Sequence, residues 1–107
     1  MAYDERLAKR VRAILSDRTD LREQKMFGGI AFMIGDKMCV GVTNDDLMVR
    51  LSVDDHEGAL KRPHVRPMDF TGRPMKGFVF VGPEGVKTPR QVQAWVNRAL
   101  DYRATLG

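Results

Sequence analysis

Ile30-Ala31-Phe32-Met33-Ile34, Met38-Cys39-Val40-Gly41-Val42 and Leu47-Met48-Val49-Arg50-Leu51, separated by Gly35-Asp36 and Asn44-Asp45, decide how this chain folds. Each apolar run has strand length. The residues between them tolerate left-handed backbone and carry the short side-chain acceptors that tight turns use. Three adjacent antiparallel strands follow. In the third, Leu47, Val49 and Leu51 share one side and Met48 and Arg50 the other, which predicts a sheet with one covered face.

Working outward, Leu7, Val11, Ile14 and Leu15 recur at helical spacing over residues 3–16, with Arg6, Lys9, Arg10 and Arg12 at positions that stay wet. Ser52-Val53-Asp54-Asp55 resembles a capping box with Asp in place of Glu and opens a short helix to residue 60, which Pro63 ends. Residues 64–75 are rich in Pro and Gly; a strand is expected near residues 68–70 and another over residues 77–81. Thr88-Pro89-Arg90-Gln91 is a helix start in which Thr88 caps, Pro89 suits the first turn and Gln91 reaches back. Val92, Trp95, Val96, Ala99 and Leu100 then form an apolar stripe that should pack on the sheet. The expected order is α-β(3)-α-β(2)-α, a two-layer α+β domain of antiparallel sheet covered by helices, occupying residues 1–107 as one unit.

With 107 residues, 43% apolar and 30% charged, the composition is that of a folded domain rather than a disordered chain. One cysteine closes no intrachain disulfide, the N-terminus lacks the pattern of a signal peptide, and no apolar run approaches the roughly 20 residues that span a bilayer. A cytoplasmic protein without membrane contact is expected. The net charge of +4 favours approach to polyanions but names no ligand, because acidic residues alternate with basic ones.

Two stretches and their spacing carry a family resemblance: Lys25-Met26-Phe27-Gly28-Gly29-Ile30-Ala31-Phe32-Met33, and Arg66-Pro67-Met68-Asp69-Phe70-Thr71-Gly72-Arg73-Pro74-Met75-Lys76-Gly77-Phe78-Val79. With Asp46-Leu47-Met48-Val49-Arg50 between them and Trp95 in the last helix, the chain resembles the N-terminal domain of the TfoX/Sxy competence regulators of bacteria. The resemblance implies a fold like that of secretion chaperones and a role in regulating DNA-uptake genes. It supplies no catalytic residues. Full-length members carry a further C-terminal domain, whereas this sequence stops at Gly107, so a stand-alone module serving another pathway is also expected.

Reactive chemistry is sparse. Gly28-Gly29 fits neither phosphate-loop pattern and precedes a strand, so a turn or bulge is the preferred reading, with Phe27 packing beside it. Asp54-Asp55-His56-Glu57 are consecutive on a helix and cannot converge on one ion, and His64 lacks a spaced second histidine; no metal or cofactor is expected. Cys39 is a nucleophile only if a histidine folds beside it, and its apolar strand favours packing. Met26, Phe27, Gly28, Gly29, Gly72, Gly77 and Trp95 are assigned structural roles.

Binding candidates remain. Asp69, Arg73 and Lys76 sit on a constrained inter-strand segment and are the candidate contacts for a protein partner. Arg6, Lys9 and Arg10, with Arg12, and a second group of Lys61, Arg62 and Arg66 are candidate phosphate contacts, although no aromatic residues interleave with them. The expected function is a regulatory or interaction module with a protein partner, with homodimerisation open. Weak nonspecific nucleic-acid binding and an enzyme with an unrecognised site are the alternatives.

Overall fold

The computed structural model describes residues 3–26, 28–68 and 76–106, Met26 by its backbone alone. Helix α1 (Glu5–Leu15) is capped by Asp4, whose carboxylate accepts from the Arg6 and Leu7 N–H groups, and it buries Leu7, Ala8, Val11 and Leu15. Four strands follow: β1 (Leu21–Met26), β2 (Gly29–Ile34), β3 (Lys37–Thr43) and β4 (Asp46–Arg50). Helix α2 (Val53–Leu60) starts where Ser52 Oγ accepts from the Asp55 N–H. Strands β5 (Val65–Pro67) and β6 (Phe78–Val81) lead through a 3-10 turn at Pro83–Gly85 to helix α3 (Pro89–Thr105). The α3 start is a complete capping box, with Thr88 N–H donating to Gln91 Oε1 at 3.0 Å and Gln91 N–H to Thr88 Oγ1 at 3.2 Å.

The architecture is α+β, an antiparallel sheet flanked by helices, in the strand order β1-β2-β3-β4-β6-β5 among the described residues. β2, β3 and β4 form the expected meander, with Ile30 opposite Val42, Val40 opposite Val49 and Leu47 opposite Val81 on β6. Three corrections apply to the expected order. First, four strands precede α2 rather than three, because β1 pairs with β2 from Leu21 opposite Ile34 to Met26 opposite Gly29. Its sequence, Leu-Arg-Glu-Gln-Lys-Met, has none of the apolar alternation that marks a half-buried strand; as an edge strand it needs none. Second, the partner of β6 lies at Val65–Pro67, upstream of the stretch expected near residues 68–70. Its only β-branched residue is Val65, and Pro67 suits an edge. Third, the sheet is buried on both faces.

One face packs on the helices. Phe32, Ile34, Val40, Val42, Leu47, Val49, Val79 and Val81 meet Leu7, Val11 and Leu15 of α1 and Val92, Trp95, Val96 and Ala99 of α3. Ala31, Met33, Met38 and Met48 form a second cluster on the reverse face with Met68, flanked by half-buried Phe78 and Phe80. The register shifts between Phe32 and Met33, so that Cys39 is the extra residue of a bulge and both Cys39 and Val40 turn to the helix side. Burying both faces explains why β2 reads as an unbroken apolar run rather than an alternation.

Gly29 and Gly77 show why the sequence places glycine where strands begin. A Cβ at Gly29 would run into the Val42 carbonyl oxygen, and one at Gly77, whose φ is +85°, would sit 2.7 Å from the Leu51 carbonyl oxygen. Gly77 C=O also accepts from the Leu51 N–H at 2.6 Å, which ties the entry of β6 to the exit of β4.

Candidate functional site

The structure separates the reactive side chains. Cys39 is buried at the bulge, and burial pushes its thiol up to about 11, so it is a neutral packing group at physiological pH. On α2, Asp54, Asp55 and Glu57 are exposed while His56 is buried, its Nε2 without a hydrogen-bond partner among the described residues. Among the described residues no group of three or more His, Cys, Asp or Glu could hold a metal ion. No helix among them is long and apolar enough to cross a membrane.

The basic residues on α1 are not equivalent. Arg6 and Lys9 reach into solvent, but Arg10 donates to the Lys87 carbonyl oxygen at 3.0 Å. Arg12 donates twice to Glu23, at 2.6 Å through Nε and 2.6 Å through Nη2. Those hydrogen bonds hold the Glu23 carboxyl below its ordinary range. The cleft of about 170 Å³ beside Arg6 and Arg10 also contains Asp4 and Asp45, whose carboxylates would repel a phosphate.

Lys61, Arg62 and Arg66 do not form one patch. Arg66 lies on the reverse side of the sheet, its guanidinium 5.4 Å from the Phe80 ring centroid and paired with Asp46 at 2.7 Å, so it is already neutralised. Lys61 is exposed. Arg62, just past the end of α2, turns to the helix side and meets Trp95 on α3, its Cζ 5.2 Å from the ring centroid. Arg98, one turn after Trp95, places its own Cζ 5.0 Å from the same ring. Guanidinium groups are attracted to the negative face of an indole, by about 0.5–1 kcal/mol each at exposed sites. Here the ring also fixes where the charges stand.

Trp95 is thus buried at 6% exposure, as expected for a helix packed on the sheet, and it forms the floor of a cleft of about 350 Å³. The walls come from three places. The α2–β5 connection supplies Arg62, Pro63 and His64, the last with a positive φ of 69°; the 3-10 turn supplies Gly85; the first turns of α3 supply Arg90, Gln91 and Ala94. No carboxylate is among the described residues that line this cleft, and Arg62, Arg90 and Arg98 make no ion pair with any described residue. The N-terminal end of α3 adds the positive end of its dipole to the same place. An oxyanion entering here meets the guanidinium groups of Arg62 and Arg90 and an apolar floor, an arrangement suited to recognition of a carboxylate; Arg98 touches the same ring but lines a neighbouring cleft with Asp55 and Asp101.

Of the residues singled out in the sequence, Arg62 and Trp95 meet at this site, while Arg6, Lys9, Arg10 and Arg66 lie elsewhere. Lys76 is exposed immediately before β6; Asp69, Arg73, Phe27 and Gly72 fall outside the described residues. Gly28 sits in the turn after β1 with φ +74°. Sequence reasoning missed Arg90, weighed His64 only as a metal ligand, and did not place Arg98 against Trp95. The i, i+3 spacing of Trp95 and Arg98 was the available signal for the last of these.

The described residues thus form an α+β domain with a buried core and a cleft that carries Arg62 and Arg90 beside Trp95. The sequence pattern of the TfoX N-terminal domain matches residues 13–102, and the chain belongs to that family. No curated protein and no solved structure matches it.

Proposed function

We propose that this TfoX-family domain is a regulatory interaction module that binds an acidic segment of a protein partner in the Trp95 cleft, in the service of transcription or competence control. The observation that carries this reading is the Arg62 guanidinium held against Trp95, with Arg90 in the same cleft and no carboxylate among its described lining residues. Two features favour a protein segment over a nucleic acid. The charges converge on one point instead of tracking along a groove, and the single aromatic is buried with both guanidinium groups against it, so it offers no open stacking platform. Lys76, exposed ahead of β6, remains proposed as a secondary contact, and Arg73 with it on the sequence reading alone.

Trp95 is the only tryptophan in the chain, so its emission reports on the cleft directly. Titration with a Glu/Asp-rich peptide should change that emission saturably, and the response should weaken at least about tenfold in Arg62→Ala/Arg90→Ala, since a charged hydrogen bond contributes roughly 1.5–3 kcal/mol. A parallel titration with a single-stranded oligonucleotide tests the alternative. A response to the oligonucleotide alone would replace the protein reading with the nucleic-acid one, and silence with both would remove the cleft from the proposal.

A further inference from the structure

The two edges of the sheet are built differently. β5 is three residues long and ends at Pro67, whose nitrogen donates no hydrogen bond, and its Arg66 is held by Asp46; this edge is blunted. β1, at the opposite edge, runs six residues without a proline, and Arg22, Glu23, Gln24 and Lys25 are all exposed. An antiparallel ladder aims the N–H and C=O of every second residue away from the neighbouring strand, so β1, which pairs with β2 alone among the described residues, offers an open row of backbone donors and acceptors. We propose that β1 pairs antiparallel with β1 of a second copy of this chain, about a two-fold axis through Gln24, joining the two sheets into one.

The charges choose both the occupant and the register. Glu23 lies opposite Phe32 and Lys25 opposite Ile30 in the pairing with β2, and Phe32 and Ile30 both face the helix-side core, so Glu23 and Lys25 share that side. A two-fold axis perpendicular to the sheet keeps every side chain on its own face, so residues of equal parity meet across the new ladder. Centring the axis on Glu23 sets Glu23 against Glu23, and centring it on Lys25 sets Lys25 against Lys25. Centring it on Gln24 sets each Glu23 against the partner's Lys25, twice, with the two Gln24 amides side by side. Opposite charges facing across a strand pair stabilise it and like charges destabilise it. The edge is therefore self-complementary in one register and self-repelling in its two neighbours. Arg12 contributes by holding the Glu23 carboxylate at the edge through its two hydrogen bonds. A foreign strand would have to bring matching charges; a second copy carries them by symmetry. The ladder is short, so the dimer dissociates on dilution.

Sedimentation equilibrium over a concentration series tests this, with circular dichroism to establish that each variant is folded. Wild type should show a monomer–dimer equilibrium. Lys25→Glu places a carboxylate against Glu23 at both ends of the ladder and should weaken the dimer by roughly ten- to a hundredfold. Glu23→Lys should do the same, and an equimolar mixture of the two variants should recover association, because every Glu then faces a Lys. Wild type that stays monomeric at every concentration overturns the proposal, as does a dimer that Lys25→Glu leaves intact. Folded variants that fail to associate when mixed overturn the register. If Glu23→Lys does not fold, the Lys25→Glu comparison alone decides.

Discussion

Phe32 and Met33 are neighbours in β2, yet they enter two different interiors. Phe32 belongs to the helix-side cluster, where buried valines, leucines and isoleucines from four strands interlock with the helices. Met33 belongs to the reverse cluster, where Met38, Met48 and Met68 supply most of the volume. β-branched side chains have few rotamers and hold a fixed shape, whereas methionine bends to fill what is left. The helix-side interior therefore specifies how the layers fit, and the reverse interior accommodates. The cationic cleft grows out of the rigid side, where Trp95 is anchored in the core and presents its margin to Arg62 and Arg98.

The largest effects should appear on the rigid side. Phe32→Ala and Trp95→Ala are each expected to cost about 3–5 kcal/mol in denaturant unfolding, because neither cavity can be refilled by shape-restricted neighbours. Unchanged unfolding midpoints would dissolve the distinction between the faces. Next in size, Met48→Leu, fully buried on the reverse face, should cost less than about 1.5 kcal/mol, whereas Val40→Leu on the helix side should cost about 1–3 kcal/mol through overpacking. Equal costs would show that the methionine face is as tightly specified as the other. Cys39 sharpens the comparison without a substitution: its buried, protonated thiol should resist an aromatic disulfide reagent in the folded protein and react fully once the chain is unfolded.

The smallest effect lies outside both interiors, at Arg12 and Glu23. The Glu23 carboxyl is depressed in the folded chain relative to the unfolded one, so the stabilisation is present above the unfolded carboxylate range and fades as pH falls through the folded value. Glu23→Gln should therefore lower stability at neutral pH by no more than about 1 kcal/mol, and the difference from wild type should close in acid. Unfolding midpoints measured at both pH values, at dilution sufficient to keep the chain monomeric, check the sign.

Local chemistry made much of this fold legible. The turns at Gly35-Asp36 and Asn44-Asp45, the Ser52 cap and the Thr88/Gln91 capping box all act within a few residues, and each is found where the sequence places it. β1 was hidden because an edge strand shows its polar side chains to water and carries no buried stripe. The reverse core was hidden because Met48 beside Arg50 reads as a solvent face until Met68 is brought onto it from a distant part of the chain. The candidate cleft was illegible for the same reason. Arg62 and Trp95 are far apart in sequence, and only the packing of the two-layer core brings the end of α2 beside α3.

The strand order also dictates a sequence of events in time. Met26 opposite Gly29, Ile34 opposite Lys37 and Thr43 opposite Asp46 are tight hairpin closures, each of the kind completed in microseconds. Pairing Phe78 with Arg50 instead requires closing a long excursion through α2 and β5, with a greater loss of chain entropy. During synthesis, β4 emerges first and waits on the order of a few seconds for β6, given translation at roughly 5–20 residues per second. For that interval the backbone edge of β4 is unprotected, and the nascent chain passes through its most aggregation-prone stage before the last strand covers it.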